Sequence, residues 1–179
     1  MRQPDVVARR VISENRFLTY AEEDLRLPGQ APYTYYQVES KWDAVLVVPR
    51  LPDGRVVLER IYRHPYRRFF LEFPAGGIER GEQPVAAAAR ELEEETGFRA
   101  GATRLIGTQE VMPGLVRMRL HVVLADDLVQ TGVRSHEAME LIETVTMSVD
   151  EAWREAQGAQ GDGVSSFLTL GLLWLHRAG

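Results

Sequence analysis

Glu91, Glu94 and Glu95 are the residues of this chain whose type and spacing most directly imply chemistry. On a helix they fall within roughly a third of the circumference, and Val85, Ala88, Ala89 and Leu92 form the neighbouring apolar stripe. One side of such a helix docks while the adjoining side presents carboxylates. Like charges at these spacings repel by roughly 0.2–0.5 kcal/mol per pair unless a cation sits among them. Hard divalent cations, Mg²⁺ or Mn²⁺, favour such oxygen ligands. The competing meaning is a solvated acidic face, the commoner reason for a run of charge.

The surrounding residues make the helix and sharpen its reading. Pro84 suits a first helical position, Ala86 to Ala89 are strong helix formers, and Gly97 is a left-handed stop, so the helix is predicted over 84–96. Gly76, Glu82, Arg90-Glu91-Leu92, Glu94-Glu95 and Gly97-Phe98 fall at offsets that resemble the Nudix box of the Nudix hydrolases, with every fixed position filled. The resemblance implies an α/β fold, an α/β/α sandwich around a mixed sheet, with metal-dependent hydrolysis of a nucleoside diphosphate linked to another moiety. It implies Glu91 and Glu95 as principal metal ligands, with Glu94 and Glu82 as further ligands or outer carboxylates and the Ala75 carbonyl as another. The resemblance also places Glu94, Glu95 and Arg90 in the catalytic set. Arg90 lies about 100° from Glu91 but about 40° from Glu94, which suits bracing a carboxylate better than binding substrate. Gly76 and Gly77 allow the loop backbone to approach the metal closely.

Further residues resemble one subfamily, the ADP-ribose pyrophosphatases. These are the segment Leu71-Glu72-Phe73-Pro74-Ala75-Gly76, Pro113 beyond the box, and an N-terminal extension. The resemblance assigns Arg63 to the substrate phosphates, a role that suits a forked guanidinium, and adds Glu72, Pro113 and Gly114 to the substrate-binding set. Met112-Pro113-Gly114 is followed by Leu115, Val116, Arg117 and Met118, where the subfamily often carries an acidic residue. The distal sugar is therefore open. ADP-ribose cleaved to AMP and ribose 5-phosphate is the leading expectation, with GDP-mannose or another nucleotide sugar as the same-class alternative. A non-catalytic Nudix-fold module that binds such a ligand is the alternative of another class. Residues 135–143 take the place of the family's mobile loop, and Glu137 and Glu140 are its candidates for a general base.

The elements that must position these groups are mostly strands. Residues 1–40 hold three short alternating stretches, at 6–12, 17–25 and 33–39, read as a small antiparallel β extension for dimerisation and substrate covering. Residues 41–179 form the hydrolase domain. Its strands are expected at 43–49 and 55–62, joined by an Asp53-Gly54 turn, then near 69–73, 103–110 and 117–124. A polar loop at 125–137, a strand at 141–147, a helix at 149–156 opened by a Ser148/Glu151 capping box, and a last helix from 164 onward follow. Tyr33, Tyr35, Tyr36 and Trp42 could stack a base, although such alternation more often means packing. His64, His121 and His136 lack zinc spacing.

The 179 residues suffice for a buried core, and no second catalytic domain fits. There is no cysteine, so disulfides and thiolate chemistry are excluded. The net charge is -5 with no basic block, which argues against a nucleic-acid partner. Absence of a long apolar run argues against a membrane span, and a cytoplasmic location is expected. A small nucleoside diphosphate sugar is the expected ligand. A homodimer is the expected assembly, because the aromatic N-terminal strands are too thin to form a core alone.

Overall fold

The computed structural model describes residues 2–135, 141–158 and 162–179. The chain divides into two compact units, one built from Met1–Asp43 with Gln109–Leu120, the other from Ala44–Thr108 with His121–Gly179. The first unit thus also draws a segment from mid-chain.

In the first unit β1 (Asp5–Glu14), β2 (Leu18–Arg26) and β3 (Tyr33–Ser40) form an antiparallel meander, in register through Arg9↔Glu23 and Glu23↔Tyr35. Val116–Arg117, β9 in chain order, adds a parallel partner to Val38 and Glu39 of β3. The sheet order is β1-β2-β3-β9. All of β1 is exposed.

The second unit is the mixed α/β part. Its strands are β4 (Ala44–Pro49), β5 (Val56–Arg63), β6 (Arg68–Glu72), β7 (Ala75–Gly77), β8 (Phe98–Glu110), β10 (Arg119–Gln130), β11 (Ile142–Met147) and β12 (Gly163–Val164), the outer ends of β8 and β10 counting with the first unit. They form two four-stranded sheets, ordered β7-β4-β10-β8 and β11-β5-β6-β12. Among the described residues three helices accompany them: α1 (Pro84–Thr96), α2 (Val149–Glu155) and α3 (Ser166–Ala178).

The sequence of β4 explains its central place. Every residue after Ala44 is buried, as a strand covered on both faces requires. Val45 and Val47 join Ala87, Ala88 and Leu92 of α1 in one core, with Val57, Val123, Ala125 and Leu128. Leu46 and Val48 alternate to the other face, and α3 also packs on β4. In α3, Gly171 lets Phe73 approach so closely that an added Cβ would lie 2.2 Å from its ring.

Several expectations change. The strand expected to end near Leu124 runs on to Gln130, because Ala125 and Leu128 are core residues; Asp127, at φ 55, makes the left-handed kink that accommodates them. β8 begins directly after Gly97 rather than near Thr103. Ala75–Gly77, read as loop, pairs with Ala44–Leu46. Gly163–Val164 pairs in parallel with Phe70–Leu71, so α3 starts at Ser166, with the Ser165 side chain accepting from the Phe167 N–H. The Ser148/Glu151 capping box forms in both directions. No helix among the described residues is long and apolar enough to cross a membrane.

Candidate active site

The site is built where α1 meets β7. Pro74 and Gly77 bound a short extended piece whose pairing with β4 fixes its path, and α1 runs from Pro84 to the left-handed cap Gly97, whose N–H donates to the Glu93 carbonyl. Leu92, Ala87 and Ala88 bury one stripe of α1 and thereby direct Glu91 and Glu95 towards β7. The backbone N–H of Ala75 donates to Glu95 Oε2 at 3.2 Å, and Glu95 is only 5% exposed. The Glu91 carboxyl lies against Gly76, where a Cβ would come within 2.1 Å of Glu91 Cδ. Glycine is required there by space.

Arg90 ties the remaining carboxylates together. Its Nε and Nη2 reach Glu82 at 3.1 Å each, its Nη1 reaches Glu91 at 2.8 Å and Glu94 at 3.2 Å, and its Nη2 also donates to the Gly77 carbonyl at 3.0 Å. The hydrogen bonds from Arg90, opposed by burial and assisted by the Glu79 N–H, hold the Glu82 carboxyl below its ordinary range. Arg90 is correspondingly held more firmly protonated. Four glutamates fall in the second half of α1, whose last turn has no basic residue, so the negative end of the helix carries like charge. Arg99 answers Glu93 from outside the helix, at 2.7 Å.

On the β5–β6 pair, Arg63 donates to Glu72 from two nitrogens, its Nε at 3.3 Å from Oε1. Burial opposes the Arg63 charge, but the hydrogen bond and charge of Glu72, with the charges of Glu95 and Glu59, outweigh it and hold the guanidinium protonated. Arg63 is thereby linked electrostatically to the carboxylates of α1.

Of the residues singled out from sequence, Ala75, Glu82, Arg90, Glu91, Glu94 and Glu95 come together around β7 and α1, and Arg63 pairs with Glu72. Pro113 and Gly114 belong to the first unit, where the Gly114 carbonyl accepts the Tyr35 hydroxyl at 2.5 Å. Glu137, Glu140 and His136 lie outside the described residues. His64 stacks edge-on against Tyr62, and His121 Nδ1 lies 3.0 Å from the Thr108 hydroxyl. Glu59 was missed. It is 1% exposed and stands opposite Glu72 on β6 and Thr144 on β11. Its signal was a carboxylate inside the apolar run Val56-Val57-Leu58-Glu59-Arg60-Ile61.

The donor set around β7 is all oxygen, which fits a hard divalent cation. Among the described residues no group of three acidic or histidine side chains is arranged to hold a metal ion. Arg90 instead donates to both oxygens of Glu82 and to one oxygen each of Glu91 and Glu94.

A NUDIX domain family model matches residues 40–166. A CMP-5'-(N-acetyl-N-hydroxy-3-aminopropyl)phosphonate hydrolase of Streptomyces rubellomurinus is 36% identical over 92% of this chain and 78% of its own length. An ADP-ribose pyrophosphatase of Bacillus subtilis is 31% identical over 82% of this chain and 79% of its own. A crystal structure of an ADP compounds hydrolase covers 99% of this chain and 95% of its own, with a TM-score of 0.88 at 22% identity, and so shares the fold. Members of this family generally use divalent metal ions. A matching model over most of the chain, two relatives aligned along most of their length and the α1–β7 carboxylate site together establish that the chain belongs to the Nudix hydrolase family and is similar to ADP-ribose pyrophosphatases.

Proposed function

We propose that this hydrolase cleaves the diphosphate of a nucleoside diphosphate sugar, with ADP-ribose giving AMP and ribose 5-phosphate, in the presence of Mg²⁺ or Mn²⁺. The observation that carries the reading is the approach of Glu91 and Glu95 to the Ala75–Gly76 backbone in the unit that also holds the Arg63–Glu72 pair. Glu91, Glu95 and the Ala75 carbonyl would hold the metal, with Glu94 and Glu82 beside them. A bound divalent ion supplies charge neutralisation at the phosphoryl oxygens and a lowered pKa for the attacking water. Arg63 binds the diphosphate oxygens, and Glu72 sets the plane of its fork. Arg90 keeps Glu82, Glu91 and Glu94 oriented. Glu137 or Glu140 supplies the base. The water oxygen bonds to one phosphorus as that phosphorus's bond to the bridging oxygen breaks, and the bridging oxygen leaves with the other phosphorus, so that AMP and ribose 5-phosphate each keep one phosphate.

A second reading is favoured by the Streptomyces relative, whose name specifies a CMP-linked phosphonate. Such a compound is also an anhydride of a nucleoside 5'-monophosphate, so the same residues serve it. ADP-ribose, a CMP-linked alkylphosphonate and GDP-mannose, each incubated with Mg²⁺ and with a chelator, would separate the readings. AMP and ribose 5-phosphate formed fastest and only with metal is the expected result. Faster release of CMP from the phosphonate would transfer the assignment to the second reading.

The proposal includes a cytoplasmic homodimer in which the N-terminal strands of one copy help to cover the other. Its support is the exposure of Val6, Val7, Val11, Ile12, Phe17 and Tyr36, an apolar surface that a second copy would bury. Sedimentation at micromolar concentration is expected to give a dimer. A monomer refutes this part.

A further inference from the structure

The β5–β6 hairpin carries a second arginine beside the one already assigned to substrate. In the antiparallel register Arg63 stands opposite Arg68, Ile61 opposite Phe70 and Glu59 opposite Glu72. Residues directly opposed in such a ladder project from the same face. Both guanidinia turn back along that face, away from the hairpin tip. Arg63 passes the Ile61/Phe70 row to reach Glu72, and Arg68 lies over the Phe70 ring, 5.0 Å from its centroid.

Like charges placed directly opposite destabilise a sheet unless something negative lies between or beside them. Glu72 answers Arg63. Among the described residues no carboxylate forms an ion pair with Arg68. The platform beneath Arg68 is nevertheless fixed, because Phe70 is buried and pressed on Gly163, where a Cβ would come within 2.2 Å of the ring. Tyr66, 70% exposed, meets the same ring edge-on at 5.2 Å. Arg63 has committed its Nε and one terminal nitrogen to Glu72, whereas among the described residues the five-donor fork of Arg68 has an aromatic face against it and no hydrogen-bond acceptor.

The geometry points to Arg68 as a second substrate-binding residue: with Arg63 it forms a cross-strand arginine pair that takes non-bridging oxygens of the two joined phosphoryl groups and so selects diphosphates over monophosphates. This rests on the hydrolase reading for its substrate class. A planar fork over a pinned ring is presented in one orientation, which lowers the ordering cost of each hydrogen bond to phosphate. An anhydride to a phosphonate keeps both charged groups and is accepted equally.

The test compares the wild type with Arg68→Ala, Arg68→Lys and Arg104→Ala, the last an exposed arginine on β8 of the same unit. Calorimetric titration uses α,β-methylene-ADP, which is not hydrolysed, and AMP. Arg68→Ala is expected to weaken α,β-methylene-ADP binding about tenfold or more and AMP binding less than about threefold. Arg68→Lys should recover part of the loss, and Arg104→Ala should match the wild type. On whichever nucleotide anhydride the enzyme turns over, KM should rise about tenfold in Arg68→Ala with kcat within about threefold. Unchanged α,β-methylene-ADP affinity in Arg68→Ala, equal losses for both ligands, or a wild type that binds the diphosphate no better than AMP would each overturn the assignment. Selective loss of diphosphate binding in an enzyme that cleaves none of the panel would sink the proposed reaction while leaving Arg68 as a ligand residue. If Arg68→Ala fails to fold, Arg68→Lys and Arg68→Gln carry the same comparison.

Discussion

The strands β1 and β4 use the same residue types to opposite effect. β1 carries Val6, Val7, Val11 and Ile12, all about half exposed, whereas Val45, Val47 and Val48 of β4 are fully buried. Beyond its backbone ladder, the N-terminal sheet is linked across its strands by charged side chains: Arg9 reaches Glu23 and Glu39, and Arg10 reaches Glu22 and Asp24. Exposed ion pairs of this kind contribute little and are screened by salt. β4 instead lies between α1 and α3, so each methyl group removed there leaves a cavity. A valine's β propensity is thus the same in both places, and its effect on stability depends on what covers it.

The largest expected effect comes from breaking the covered side. Leu92→Ala should lower unfolding free energy by about 3 kcal/mol, read from the denaturant midpoint, because the side chain is fully buried among Val45, Val47 and Ala88. Val11→Ala in β1 should stay within about 0.5 kcal/mol when measured below the concentration at which copies associate. A comparable loss in both variants under that condition would mean that β1 is covered within its own chain, and the contrast between β1 and β4 would fail.

Next come the groups that the covered side positions. Glu91→Gln and Glu95→Gln should each lower turnover at least about a hundredfold, roughly 2.7 kcal/mol of transition-state stabilisation, with melting temperatures shifted by no more than a few degrees. Near-normal turnover in either well-folded variant at subsaturating metal removes the proposed metal site. Gly76→Ala should lower turnover about tenfold or more by displacing the Glu91 carboxyl, since the added methyl would sit among its atoms. Activity indistinguishable from wild type would show that the close packing of Glu91 on β7 is dispensable.

The smallest effect belongs to the exposed side. The hydrogen bonds of Asp24 with Arg10, then Thr34, lower its carboxyl to about 2. A carboxyl whose folded pKa is depressed adds stability above its unfolded value near 4, and that stability is lost as pH falls through about 2. Protease resistance of the N-terminal strands should therefore decline between about pH 4 and pH 2, and Asp24→Asn should flatten that decline. Coincident curves would show that the pair adds nothing in water.

Local pattern alone was enough for α1, from Pro84 at its first turn to Gly97 at its left-handed cap, and for the capping box that opens α2. It was also enough for the family, because the offsets between Gly76, Glu82, Arg90, Glu91, Glu94, Glu95, Gly97 and Phe98 are properties of one contiguous stretch. Tertiary packing decided the rest. Asp126 and Asp127 make 125–130 look like a loop, yet Leu128 is drawn into the core beneath α1 and the strand continues. The three-residue β7 has no strand signal of its own and exists because β4 offers it a ladder. Glu59 opposite Glu72, and Arg68 opposite Arg63, became neighbours through the register of β5 and β6. A periodicity fixes which face of its own element a residue takes, but only the pairing of one strand with another determines which charge it must meet there.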